Sequence, residues 1–121
     1  VSDSIPYDFL KQKNCNKKVV ITTQPKSYRK KQSKIYPLEK VLLREYPAVL
    51  EKLSTRAEDY NAVLDQMEKD EEAGKAFIIR PPFPLEIGTL ETDKKEMRRV
   101  YEGGRVEAEK ILPTLREYLN K

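Results

Sequence analysis

Two short continuous apolar runs and three longer periodic ones organise this chain. Val19, Val20, Ile21, Thr22 and Thr23 form an unbroken β-branched run that stops at Pro25. A run apolar on both faces predicts a strand covered from both sides, as inside a parallel sheet flanked by helices. Ala76, Phe77, Ile78 and Ile79 predict a second strand of the same kind. It opens after the break at Gly74 and closes where Pro81 and Pro82 withdraw backbone donors.

Between the two runs the spacing changes to that of a helix. Leu38, Val41, Leu42 and Leu43 predict a short helix, which Tyr46-Pro47 interrupts because the residue before proline disfavours the helical region. Pro47 suits the first turn of the next helix. Val49, Leu50, Leu53, Ala57, Tyr60, Val63, Leu64 and Met67 then recur along one face, with Glu51, Lys52, Glu58, Asp59 and Asp65 opposite. Gly74 is placed for a left-handed cap. After "PLEIGTLE", Asp93 and Glu96 have the spacing of a capping box, in which each side chain satisfies a backbone donor at the helix start. Met97, Val100, Tyr101, Ala108, Ile111, Leu112, Leu115 and Leu119 predict the buried stripe of that last helix. Gly103-Gly104 within it costs about 1 kcal/mol per glycine relative to alanine, so close backbone packing is expected there, and Pro113 predicts a kink.

The predicted order is strand, helix, helix, strand, helix: an α/β class chain holding one βαβ unit and a C-terminal helix. Its 121 residues suit one small domain. The segments are 1–36 (turn, strand and basic loop), 37–74 (helices), 75–91 (strand and Pro-rich loop) and 92–121 (C-terminal helix). Two doubly covered strands need further strands beside them, and no third convincing run supplies one. Either the sheet edge dimerises, making a homo-oligomer, or the rest of the sheet lies elsewhere.

The chain has no histidine and one cysteine, Cys15. A Ser-His-Asp or Cys-His site within the chain, an imidazole zinc site and an internal disulfide are therefore excluded. The lysines of "KNCNKK" lower a thiol pKa, but no base stands beside Cys15, and a passive thiol in a reducing cytoplasm is expected. No run approaches the ~20 apolar residues that cross a bilayer. The consecutive acids Asp70, Glu71 and Glu72 point in different directions on a helix, so a solvated helix end is expected rather than a metal site. No cofactor is expected.

Charge is concentrated in one block. From Phe9 to Leu38 there is no acidic residue, whereas lysines and arginines recur, and the net charge of +4 comes from this segment. "PKSYRKKQSKIYP" follows the first strand, where α/β folds place binding groups. Lys26, Tyr28, Arg29, Lys30, Lys31 and Lys34, with Tyr36 as a second aromatic anchor, are candidates for contact with anionic lipid head groups, at about 1 kcal/mol per cation near the surface. The alternative is a solvated loop. A nucleic-acid partner is disfavoured because no binding motif accompanies the charge.

"VSDSIP", "KKVVITTQPKSYRKK" and "KAFIIRPPFPLEIGTLETDKKEMRRVYEGG" together resemble one family, the bacterial patatin-like phospholipases, which are serine lipid acyl hydrolases. The most specific part is Ile79-Arg80-Pro81, followed by Pro84-Leu85, Gly88, Leu90-Glu91 and a helix carrying Tyr101 and Gly104. The resemblance implies a partial three-layer αβα patatin-like fold in which this chain is the C-terminal portion. It also implies a Ser-Asp dyad upstream, the serine in a G-x-S-x-G elbow and the aspartate in a D-G-G or D-G-A motif just before Val1. None of those elements is present here. Ser2, Ser4, Ser27, Ser33 and Ser54 lack elbow glycines, and Asp3 is not followed by glycine, so no catalytic residue is expected in this chain. Arg80 is expected to pair with Glu86 or Glu91 and fix the loop after the second strand. The implied partners are the rest of the parent domain and a lipid ester or anionic membrane surface; the implied location is cytoplasmic, peripheral at the membrane. A free-standing membrane-surface or protein-interaction module is the alternative.

Overall fold

The computed structural model describes residues 4–121, so Ser2 and Asp3 lie outside the described residues. Both apolar runs are strands. β1 spans Lys18–Ile21 and β2 spans Ala76–Ile79, and they pair in parallel with Lys18 opposite Ala76 and Ile21 opposite Ile79. Four helices accompany them: α1 (Tyr7–Lys11), α2 (Tyr36–Leu42), α3 (Pro47–Glu72) and α4 (Lys94–Asn120). The described chain is thus mixed α/β with a two-stranded sheet. It divides into two units, one of residues 4–15 and 29–72, the other of residues 16–28 and 73–121.

In the first unit α2 ends at Leu42 and Pro47 opens α3, as the Tyr46-Pro47 break dictates. Its buried residues are Tyr7, Met67 and Asp70. Asp70 corrects the expectation of a solvated acidic end. It is 8% exposed, and its Oδ2 accepts a 2.6 Å hydrogen bond from the hydroxyl of Tyr7, itself 2% exposed. Gln66 Nε2 donates to Oδ1 at 3.0 Å. A buried carboxylate is tolerated where donors replace its water, and Tyr7 and Gln66 do so here. α1 has no counterpart in the apolar pattern; five residues are too few to show a period.

In the second unit Gly74 has φ 72°, the left-handed value a glycine cap supplies. β2 alternates buried and half-buried residues, with Ala76 and Ile78 buried. β1 departs from expectation. Val19 and Ile21 are exposed, Ile21 at 77%, so one face of this doubly apolar strand is uncovered. α4 explains why: it packs on β2, where the Tyr118 ring lies 5.5 Å from Phe77, and the Tyr118 hydroxyl bonds only the first residue of β1, Lys18.

α4 is continuous through Pro113. Its expected stripe is not buried: Met97, Tyr101, Leu112 and Leu119 are exposed, while Val100, Ile111 and Leu115 are half-buried. The capping box is half formed. Asp93 Oδ1 accepts from Lys95 N at 2.8 Å, but Glu96 turns to Arg99, and Glu91 Oε1 takes the Asp93 amide at 2.8 Å in its place.

Candidate functional site

A groove of about 680 Å³ opens at the carboxyl ends of β1 and β2, within the second unit. It is lined by Ile21 and Ile79 of the strands, by Pro81, Phe83 and Leu85 of the Pro-rich loop and by Val100, Gly103 and Gly104 of α4. The position follows from the strand chemistry. Where β2 meets Pro81-Pro82 the ladder must stop, and the groove lies beyond the strand ends, the usual ligand position of α/β sheets. Gly103 and Gly104 correct the expectation of close backbone packing, since a Cβ at either position would meet nothing within 4 Å. Their missing side chains widen the groove instead.

The Pro-rich loop is fastened by Arg99. Its Nη2 donates to the carbonyls of Leu85 (3.2 Å) and Glu86 (3.3 Å), while Glu96 Oε2 holds Nε at 3.0 Å and Nη2 at 2.8 Å. Glu86 needs that tether. Its φ of 51° is left-handed, a conformation costing a non-glycine residue roughly 1–2 kcal/mol. Arg80 follows β2, half-buried, and lines the groove. Glu91 Oε1 accepts from the amides of Thr92 and Asp93, at 2.8 Å each, and leads the chain into α4.

The basic candidates divide between the units. Lys26 (exposed) and Tyr28 (half-buried) belong to the second. In the first, Arg29 and Lys30 are held by α3. Arg29 Nη2 lies 3.2 Å from Asp65 and 3.4 Å from Glu68. Asn61 clamps the Lys30 backbone, accepting from its N–H at 2.7 Å and donating to its carbonyl at 2.9 Å. The Lys30 ammonium sits 4.9 Å above the Tyr60 ring. Desolvation, and then the nearby Arg56 guanidinium, lower its pKa from the usual lysine value. Both residues thus have partners on α3. Asn61, Asp65 and Glu68 stand at helical spacing on one face of α3, a stripe visible in the sequence that marks where the basic segment docks.

Lys31 and Lys34 remain exposed. Beside them Ile35, Leu38, Val41 and Leu42 expose an apolar face of α2 flanked by Lys40 and Arg44. The hydroxyl of Ser54 donates to the Glu51 carbonyl at 2.7 Å, the hydroxyl of Ser33 accepts from Ile35 N at 3.3 Å, and Ser4 and Cys15 are exposed.

A family model described as a domain of unknown function, DUF6363, matches residues 46–120, more than half of the chain. The chain belongs to the DUF6363 family. No curated protein and no solved structure matches it. The DUF6363 region takes in α3, β2 and α4 and stops short of β1. The one strand of this family region therefore has its hydrogen-bonding partner outside the region. The apolar groove also straddles that limit, with Ile21 contributed from outside and Ile79 and the α4 residues from within.

Proposed function

We propose that this chain is the C-terminal scaffold portion of a patatin-like lipid acyl hydrolase. It supplies two parallel strands and covering helices to a sheet whose other strands, with the Ser-Asp dyad, lie upstream. In the parent, serine attacks a lipid ester, the alcohol leaves, and water hydrolyses the acyl-enzyme, with the upstream aspartate as base. The scaffold's part is to carry strands, not protons.

The observation that carries the reading is the uncovered β1. A two-stranded parallel pair is too small to stand as a sheet, parallel strands are normally covered on both faces, and Ile21 is 77% exposed. The resemblance around Ile79-Arg80-Pro81 supplies the family. The test is the coding sequence upstream of Val1 together with ester hydrolysis. The reading predicts an in-frame D-G-G or D-G-A, G-x-S-x-G further back, activity towards a p-nitrophenyl ester in the contiguous protein and none in this chain alone. Turnover by this chain alone contradicts it.

A second reading rests on α2. Its exposed Ile35, Leu38, Val41 and Leu42, bordered by Lys31, Lys34, Lys40 and Arg44, match the interfacial amphipathic pattern that meets anionic lipid. No helix among the described residues is long and apolar enough to cross a membrane. Sedimentation with anionic and with neutral vesicles tests this reading, and equal binding to both defeats it.

A further inference from the structure

The direction of the β1–β2 ladder shows which sheet edge is open. Thr22 N donates to the Ile79 carbonyl at 2.9 Å. Backbone groups alternate sides along a strand, so Lys18, Val20 and Thr22 turn theirs toward β2 while Val19 and Ile21 turn theirs away. Those outward groups border exposed side chains. On the opposite edge the outward residues are Ala76 and Ile78, which are 3% and 8% exposed. The open edge is therefore that of β1, and no proline or charged residue within Val19–Ile21 blunts it.

We propose that the outer edge of β1 takes a third strand, an extended apolar segment flanked by acidic residues, which pairs with the backbone of Val19 and Ile21. Charge selects this occupant. The edge lies in the stretch from Phe9 to Leu38 that contains no acid, with Lys17 and Lys18 at its start and Lys26 beyond its end. A second copy of β1 would set cations against cations, whereas glutamates or aspartates at the ends of an incoming strand meet opposite charge. Main-chain pairing supplies the attachment and alternate side chains cover Val19 and Ile21, the mode of β-strand addition. The inference builds on the scaffold reading by naming the edge through which the rest of the sheet joins. The upstream coding sequence tests that reading separately.

The test joins a seven-residue strand of alternating valine and isoleucine, ended on both sides by glutamates, to the N-terminus of the full chain through a flexible Gly/Ser linker. Short flexible linkers give effective concentrations of about mM. Amide exchange is then read residue by residue. Exchange at Val19 and Ile21 is expected to slow about tenfold or more, with Ala76 and Ile78 unchanged. Lysine-ended strands are expected to protect less, and the difference to vanish near 1 M salt, where the screening length is about 3 Å. Ile21→Pro removes one outward N–H while sparing the β2 ladder, so it abolishes protection at Val19 and keeps that at Val20. Should that variant unfold, the glutamate and lysine fusions still decide the matter. The proposal is overturned by absence of protection in both fusions, by equal protection from both, by protection confined to Ala76 and Ile78, or by a dimer of the unmodified chain in which Val19 and Ile21 are already slow.

Discussion

The Tyr7–Asp70 region and the β1 edge treat burial in opposite ways. In the first, a carboxylate is taken out of water and both oxygens are given donors, Tyr7 and Gln66, beside the buried Met67. In the second, a β-branched strand with no polar side chain between Lys18 and Thr22 keeps Ile21 in solvent. Among the described residues, a buried acidic side chain has its donors and a hydrophobe on β1 stays exposed. The difference teaches that local completeness, rather than hydropathy, decides what is inside: Asp70 of α3 meets donors from α1 and from its own helix, while β1 is paired on one side only, by β2.

Substitutions sharpen this contrast in descending size. Met67→Ala and Ile78→Ala should each lower the unfolding free energy by about 2–5 kcal/mol in urea titration, as core truncations do. Ile21→Ala in the isolated chain should change it by less than about 0.5 kcal/mol. An Ile21 effect as large as that of Ile78 would break the comparison, because it would mean that β1 is already covered. Tyr7→Phe removes a hydrogen bond to a buried carboxylate and should cost about 1.5–3 kcal/mol, with a lowered urea midpoint and an unchanged slope.

Asp93→Ala removes the α4 cap and should cost about 0.5–2 kcal/mol, whereas Glu96→Gln should cost less, since Glu91 and not Glu96 serves the Asp93 amide. The smallest effect is that of Lys30. Its folded pKa is below the unfolded value, so between the two the unfolded chain binds more protons and stability rises with pH. The rise belongs to the alkaline range that ends near the ordinary lysine value of about 10.4. Lys30→Met should flatten it in pH-dependent thermal melts, and an unchanged profile would remove Lys30 as its source.

Legibility followed the range of each interaction. β2 was readable because its apolar run is bounded by Gly74 and Pro81, and the start of α3 because Pro47 fixes its first turn. The Tyr7–Asp70 bond was not, since it joins positions 63 apart and the same Asp-Glu-Glu run looks like a solvated helix end. The contact of Arg29 and Lys30 with α3 was half readable. The Asn61, Asp65, Glu68 stripe is in the sequence, but only the fold brings the basic segment to it. The α4 stripe was misread, since Met97, Tyr101, Ala108, Leu112 and Leu119 are exposed and only Val100, Ile111 and Leu115 half-buried, because α4 packs on β2 and leaves β1 uncovered. Gly103-Gly104 misled because a missing side chain serves equally for close approach or for an opening.

Backbone amide exchange at Val19, Val20 and Ile21, compared between this chain alone and the same chain continuous with its upstream sequence, tests the central claim most directly. The account predicts that Val20 is protected in both, while Val19 and Ile21 exchange freely in the isolated chain and become slow in the longer protein. Val19 and Ile21 equally fast in both, or equally slow in both, would contradict it.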